Sequence, residues 1–169
     1  MNRIAFTGEP GSALLLEEAI RFATTMHCGQ LDKQEQPYIL HPIAVMMRVG
    51  SVVEKTVAVL HDIIEDTVFT RESLIAAGLD ARVAKHVHTL SRSPSETYKE
   101  YIKRVGEGGR VAIKVKIADL EHNMDPSRPK GCKMQGLQKR YEKAYNYLNG
   151  LGWNTNNQVE IDKVSDNER

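Results

Sequence analysis

The sequence predicts an all-α domain, and three observations carry that expectation. Apolar residues recur at spacings of three and four through most of the chain. Capping residues and glycines punctuate those runs where helices should start and stop. No alternation of strand and helix, and no glycine-rich phosphate cradle of either standard pattern, suggests a nucleotide-binding α/β domain. At 169 residues the chain suits one domain with a substantial core.

The elements follow in order. Ser12 is placed to cap a helix through ALLLEEAIRFATTMHC, with Gly29 just past its end. Leu15, Leu16, Ala19, Ile20, Ala23 and Met26 form its apolar stripe. After the polar loop GQLDKQEQP, a helix from about His41 to Val49 begins near Pro42, a residue well tolerated in a first turn. The next helix is expected to run unbroken from Val52 to Asp66. Thr70 caps RESLIAAG, closed by Gly78; Asp80 caps ARVAKHVHTL; Ser95 is expected to cap ETYKEYIKRV before the break GEGG. Residue preference alone leaves VAIKVKIADLEHNM as strand or helix, and the spacing of Ile117, Leu120 and Met124 favours helix for its second half. A last helix spans Met134 to Leu148. The expected organisation is an N-terminal extension over 1–11, a domain over 12–149, and a poorly ordered tail over 150–169, where Trp153 is a candidate to dock on the body or on a neighbouring subunit.

Composition narrows the function. The formal charge is +1, so no strong field toward nucleic acid or an anionic membrane is expected. The start, MNRIAFTGEPGS, lacks the basic and apolar regions of a secretory leader. Cys28 and Cys132 match no zinc-type spacing. A cytoplasmic protein with reduced thiols is the expectation.

The run LHDIIEDT points to chemistry. His61, Asp62, Glu65 and Asp66 lie inside an otherwise apolar helical segment, where burial normally excludes ionisable groups. On a helix, Glu65 shares a face with His61 and Asp62, and Asp66 flanks it. A divalent cation compensates such crowding, because it takes neutral imidazole nitrogen and carboxylate oxygen together. His41 in PYILHPIAV and Asp119 in KIADLEHN are the further ligand candidates. Two imidazoles and two carboxylates favour manganese, with magnesium, iron and zinc left open. Glu65 is placed to orient or deprotonate a water, and Asp66 to assist it. Each residue alone has an ordinary structural reading: a packing histidine, a solvated helix end, a salt-bridge acceptor. Acidic residues at a helix C-terminus oppose its dipole, which argues against a purely structural choice for Glu65 and Asp66.

Taken in order, MHCGQLDKQEQPYILHPIAV, VAVLHDIIEDTVFTRESL and VKIADLEHNM resemble the HD-domain metal-dependent phosphohydrolases. More narrowly, they resemble the hydrolase domain of the RelA/SpoT proteins and the small stand-alone alarmone hydrolases, over roughly Leu14 to Tyr147. The resemblance implies an all-helical domain that binds one divalent ion, commonly manganese, and removes pyrophosphate from the 3′ position of guanosine tetra- or pentaphosphate. It makes His41, His61, Asp62 and Asp119 the metal ligands, and Glu65 and Asp66 the pair that activates water. Lys33 then lies near the nucleotide, Asn123 on the ribose side, and His27 outside the metal shell. Lys116, Tyr98 and Arg128 are further candidates for phosphate contact.

Two positions depart from that pattern. Asp32 and Asp125 stand where typical members carry cations, and carboxylates there weaken attraction for a polyanion. They favour a second enzymatic reading, a phosphatase of a nucleoside monophosphate or NADPH. A third reading is a non-catalytic nucleotide-sensing module, against which intact Glu65 and Asp66 speak. The expected partner is a small phosphorylated nucleotide, without nucleic acid or membrane, and with self-association open. No segment suits a synthetase domain, so alarmone synthesis is not expected.

Overall fold

The structure is a computed structural model that describes residues 5–127 and 134–151. The expected tail with Trp153 lies almost wholly outside the described residues, as do Arg128 and Cys132. Among the described residues there are nine helices and no strand beyond an isolated bridge between Leu31 and Pro37. They are α1 (Ala13–Met26), α2 (Leu40–Met46), α3 (Val52–Leu60), α4 (Ile63–Asp66), α5 (Arg71–Ala76), α6 (Ala81–Leu90), α7 (Tyr98–Glu107), α8 (Arg110–Met124) and α9 (Met134–Gly150). No helix among them is long and apolar enough to cross a membrane.

The helix starts are chemically explicit. The Ser12 hydroxyl accepts from the Leu15 N–H at 3.1 Å, and Asp80 accepts from the N–H groups of Arg82 and Val83. Ser51 and Glu54 cap α3 reciprocally, as do Thr70 and Ser73 at α5. At α7 the cap is Thr97 rather than Ser95. Only Thr97 has a glutamate three residues on, and Glu100 closes the box by accepting the Thr97 N–H at 2.8 Å. Ser95 instead shares a hydrogen bond with Ser93.

Two helices organise the core. α3 packs against α1, α2, α6 and α8, and Val57, Ala58, Val59 and Leu60 are all fully buried. Four consecutive apolar side chains face every direction, so the helix needs neighbours all round it. α8 is also enclosed, by α2, α3, α6, α7 and α9. Its buried residues Ala112, Ile113, Val115, Ala118 and Leu120 therefore form no single stripe, which is why its first half read ambiguously.

The segment before Ser12 joins this core. Phe6 is buried against Phe22, with ring centroids 5.2 Å apart. The buried Glu18 carboxylate accepts the N–H groups of Thr7 and Gly8 at 2.9 and 3.0 Å. Gly78, at φ +96°, lets the Phe6 carbonyl approach so closely that a Cβ would lie 2.2 Å from its oxygen.

Candidate metal centre and adjoining cavity

The single helix expected from Val52 to Asp66 is interrupted at its chemical centre. α3 ends at Leu60 and α4 begins at Ile63. The His61 Nδ1–H donates to the Ala58 carbonyl at 2.7 Å, and the His61 backbone N–H turns to the same oxygen. An imidazole competing for a helix carbonyl tightens the turn and ends the regular ladder. Helical spacing resumes at once, since the Asp66 N–H bonds the Asp62 carbonyl at 2.9 Å. Asp62, Glu65 and Asp66 consequently line one cavity although no continuous helix carries them.

Three separated segments converge here. From His41 Nε2, the Asp119 Oδ1 lies at 3.2 Å and the Asp62 Oδ2 at 3.4 Å. From His61 Nε2, the same oxygens lie at 3.8 and 3.1 Å. The ligand atoms of His41, His61 and Asp62 all fall within 4.8 Å of one another. His41, His61 and Asp119 are buried.

The donor set fits a cation. The buried His61 Nε2 lies 3.1 Å from Asp62 Oδ2 but makes no well-aligned hydrogen bond, while its Nδ1–H is held from behind by Ala58. That tautomer leaves the Nε2 lone pair aimed among the carboxylates. Charge says the same. Burial drives the His61 imidazole toward neutrality, but Asp62 and Asp119 outweigh it and push its pKa up to about 10. Against their own burial, His61 helps hold the Asp62 carboxyl well below its usual range, and chiefly Lys116 does so for Asp119. Two carboxylates that attract protons onto imidazoles this strongly will also attract a dication.

A further layer of side chains orients these groups. The His41 and His122 Nδ1 atoms are 2.7 Å apart, and their rings stack at 4.9 Å. Tyr38 donates its hydroxyl to Asp62 Oδ2 at 2.6 Å. Lys116 donates to Asp119 Oδ2 at 2.7 Å and Asn123 to Asp119 Oδ1 at 2.6 Å. Lys116 and Asn123 were expected at phosphate and ribose; both line the cavity, yet these polar groups bond Asp119. His27 lies outside the cluster, with its Nδ1 2.8 Å from Gln30 Oε1 and its ring against Tyr38.

The cavity measures about 870 Å³. Lys33, Tyr98, Glu65 and Asp66 line it, and Arg128 lies outside the described residues. Glu65 Oε2 accepts the Arg92 N–H at 3.0 Å. Desolvation raises the Glu65 carboxyl, opposed by that hydrogen bond and reinforced by the Asp62 charge; desolvation and Asp62 likewise raise Asp66. Residues unread in the sequence complete the walls: Tyr38, Arg92, Tyr101, Arg140 and Tyr141. The Arg140 guanidinium lies 4.4 Å from the Tyr98 ring centre, and Lys116 Nζ lies 5.0 Å from that of Tyr101. Tyr38 and His122 each sit one helical turn from a ligand candidate, a spacing that would have found them; Arg140 comes from α9 with no local mark.

The two departures differ in placement. Asp32 lines the cavity, but its Oδ1 accepts the N–H groups of Gln34 and Gln36 at 2.8 and 3.1 Å, closing its own turn. Asp125 does not line the cavity. It pairs with Arg48 at 3.3 Å and accepts the Ser127 N–H at 2.9 Å, so its charge does not belong to the expected recognition surface.

No family model matches the chain. A probable GTP pyrophosphokinase of Mycobacterium leprae is 32% identical over 126 residues, 68% of this chain and 16% of that protein. A guanosine-3′,5′-bis(diphosphate) 3′-pyrophosphohydrolase of Aquifex aeolicus is 32% identical over 127 residues, 68% of this chain and 18% of its own length. The Haemophilus influenzae protein of that name is 30% identical over 116 residues, 60% and 17% of the two chains. The chain thus spans less than a fifth of these relatives. A solved metazoan ortholog of SpoT, described as hydrolysing ppGpp, superposes with a TM-score of 0.67 at 22% identity, covering 94% of this chain and 96% of that one. That likeness shows the fold. Together with the ordered motifs and the sequence relatives, it makes this chain an HD-type domain of the RelA/SpoT hydrolase-like family.

Proposed function

We propose that this domain is a cation-dependent phosphohydrolase that removes pyrophosphate from the 3′ position of guanosine 3′,5′-bis(diphosphate). The observation that carries this reading is the opening of a His/Asp cluster and an acidic pair into one cavity that also holds Lys33, Arg92 and Arg140. The names of the Aquifex and Haemophilus relatives supply the substrate to try first.

His41, His61, Asp62 and Asp119 would hold the ion, and their mixed nitrogen and oxygen donors favour manganese. When bound, a divalent ion supplies Lewis acidity that lowers a water's pKa toward roughly 7 and offsets phosphate charge. The remaining work falls to the chain itself. Glu65, oriented by the Arg92 N–H, takes the proton from the attacking water as its oxygen bonds phosphorus. Its raised pKa makes it a better base near neutrality. As the bond from phosphorus to the 3′ oxygen breaks, Asp66, in its protonated form, gives its proton to that oxygen, and the proton taken by Glu65 restores it for the next cycle. Lys33 and Arg140 stabilise charge on the phosphates, and Tyr98 and Tyr141 give the nucleotide aromatic faces to lie against.

Asp32 at the cavity wall favours one alternative, a phosphatase acting on the less charged nucleoside monophosphates or on NADPH. Incubating manganese-loaded protein with guanosine 3′,5′-bis(diphosphate), NADPH and nucleoside monophosphates ranks the readings. The proposal expects pyrophosphate release from the first with the highest kcat/KM. Turnover of the others alone supports the alternative, and tight binding without turnover supports a sensor.

A further inference from the structure

A second cavity of about 790 Å³ opens beside the first and shares Glu65 and Arg92 with it. Its walls come from the start of α5, the later turns of α6 and the turn around Ser93. No function assigned above uses it.

Its charge is predominantly positive. Arg71, Lys85 and Arg92 all line it. The Arg71 Nε is buried and has no hydrogen-bond partner, a costly state for a guanidinium nitrogen unless an acceptor arrives. Arg92 donates its guanidinium N–H groups to the Glu96 carbonyl at 2.9 and 3.3 Å, while the Glu96 carboxylate is bonded to Arg104 and acts on Arg92 only through its charge. The carboxylates balance this group only in part: the exposed Glu72 acts on Arg71 and Glu96 on Arg92, both from outside the cavity lining. Glu107 lies 3.8 Å from Lys103, and Glu65 is held by the Arg92 backbone. Arg104 also lines the cavity, but it is bonded to the Glu96 carboxylate and to the Thr89 and Ser91 carbonyls, and so serves as framework.

We propose that this second cavity binds a small multivalent phosphate anion, separately from the His/Asp cluster. Oxygens of such an anion match the donors converging from α5, α6 and the turn, and would satisfy the buried Arg71 Nε. The site adjoins the reactive carboxylate, because the Arg92 residue that faces the anion also presents its N–H to Glu65. Binding itself does not depend on the hydrolase reading, so either can fail alone.

The test uses the full chain freed of metal by a chelator, checked for helical content, and titrated calorimetrically with inorganic pyrophosphate at fixed ionic strength. Lys85→Gln, at an exposed position, and Arg71→Gln should each weaken binding roughly tenfold, the scale of one lost charge-assisted hydrogen bond. Arg140→Gln, in the first cavity, should leave this binding event in place. Should Arg71→Gln fail to fold, Lys85→Gln carries the comparison. Loss with Arg140→Gln but not with Lys85→Gln would put the anion in the first cavity and overturn the proposal. Absence of binding, or equal weakening by salt and sulfate as a mere counter-ion would show, overturns it as well.

Discussion

The Nδ1 atoms of His41 and His122 lie 2.7 Å apart on nearly parallel rings, so one nitrogen donates and the other accepts. For His41 to offer its Nε2 lone pair to the cluster, its Nδ1 must be the donor and His122 the acceptor. Removing that acceptor should loosen cation binding without unfolding the chain. We expect His122→Ala to lower manganese affinity by roughly 10–100-fold, read by calorimetric titration beside a circular dichroism spectrum. An affinity equal to that of the parent protein would remove His122 from the site's support.

Glu65 is assigned the proton from water. Glu65→Gln keeps its shape and should retain the ion while turnover falls about 10²–10⁴-fold. The pH profile gives an independent reading. A base works deprotonated, and desolvation raises the Glu65 carboxyl above its ordinary range. Activity should therefore rise with pH along a limb lying above that of an exposed glutamate, and the limb should vanish in Glu65→Gln. An unchanged profile would reassign the base.

Asp32 separates charge from structure. Its Oδ1 closes the loop turn through Gln34 and Gln36, and an asparagine oxygen can accept the same bonds. Asp32→Asn should thus strengthen use of a polyanionic substrate severalfold through KM with little change in Tm. Asp32→Ala should lower Tm as well. Equal KM for the parent and Asp32→Asn would end the account of this position as a recognition charge.

The Glu96 and Arg104 side chains tie the turn before α7 to α7 itself, with Arg104 Nε 3.1 Å from Glu96 Oε2. Arg104 is the main cause holding the Glu96 carboxyl below its ordinary 4.5. A depressed carboxyl contributes stability that is present above the unfolded value and lost as pH falls through the folded one. Below about pH 4.5 the parent should lose Tm faster than Glu96→Gln, by a small amount because the partly exposed pair is screened by solvent. Parallel Tm curves would contradict this.

Much of this architecture is legible in local chemistry. Ser12, Thr70 and Asp80 cap the helices they announce, because a cap is decided within three residues. Thr97 displaced Ser95 for the same local reason, its glutamate partner three residues on. The break at His61 was hidden because it depends on where an imidazole places its proton, which helical spacing does not report. Within the candidate site, chemistry-bearing residue types stood out in an apolar context at His61 and Asp62. Arg92 and Arg140 did not, since an arginine is ordinary in a sequence until the fold brings it to a wall. Asp125 shows the converse, a charge that departs from the family pattern yet faces Arg48 outside the cavity.

Elemental analysis of the purified full chain, compared with its Asp62→Ala and Asp119→Ala variants, tests most directly whether His41, His61, Asp62 and Asp119 hold a single divalent cation. The account predicts one ion per parent chain and loss of that ion in both variants while helical content persists. Full occupancy in either variant, or active parent protein containing no ion, would contradict it.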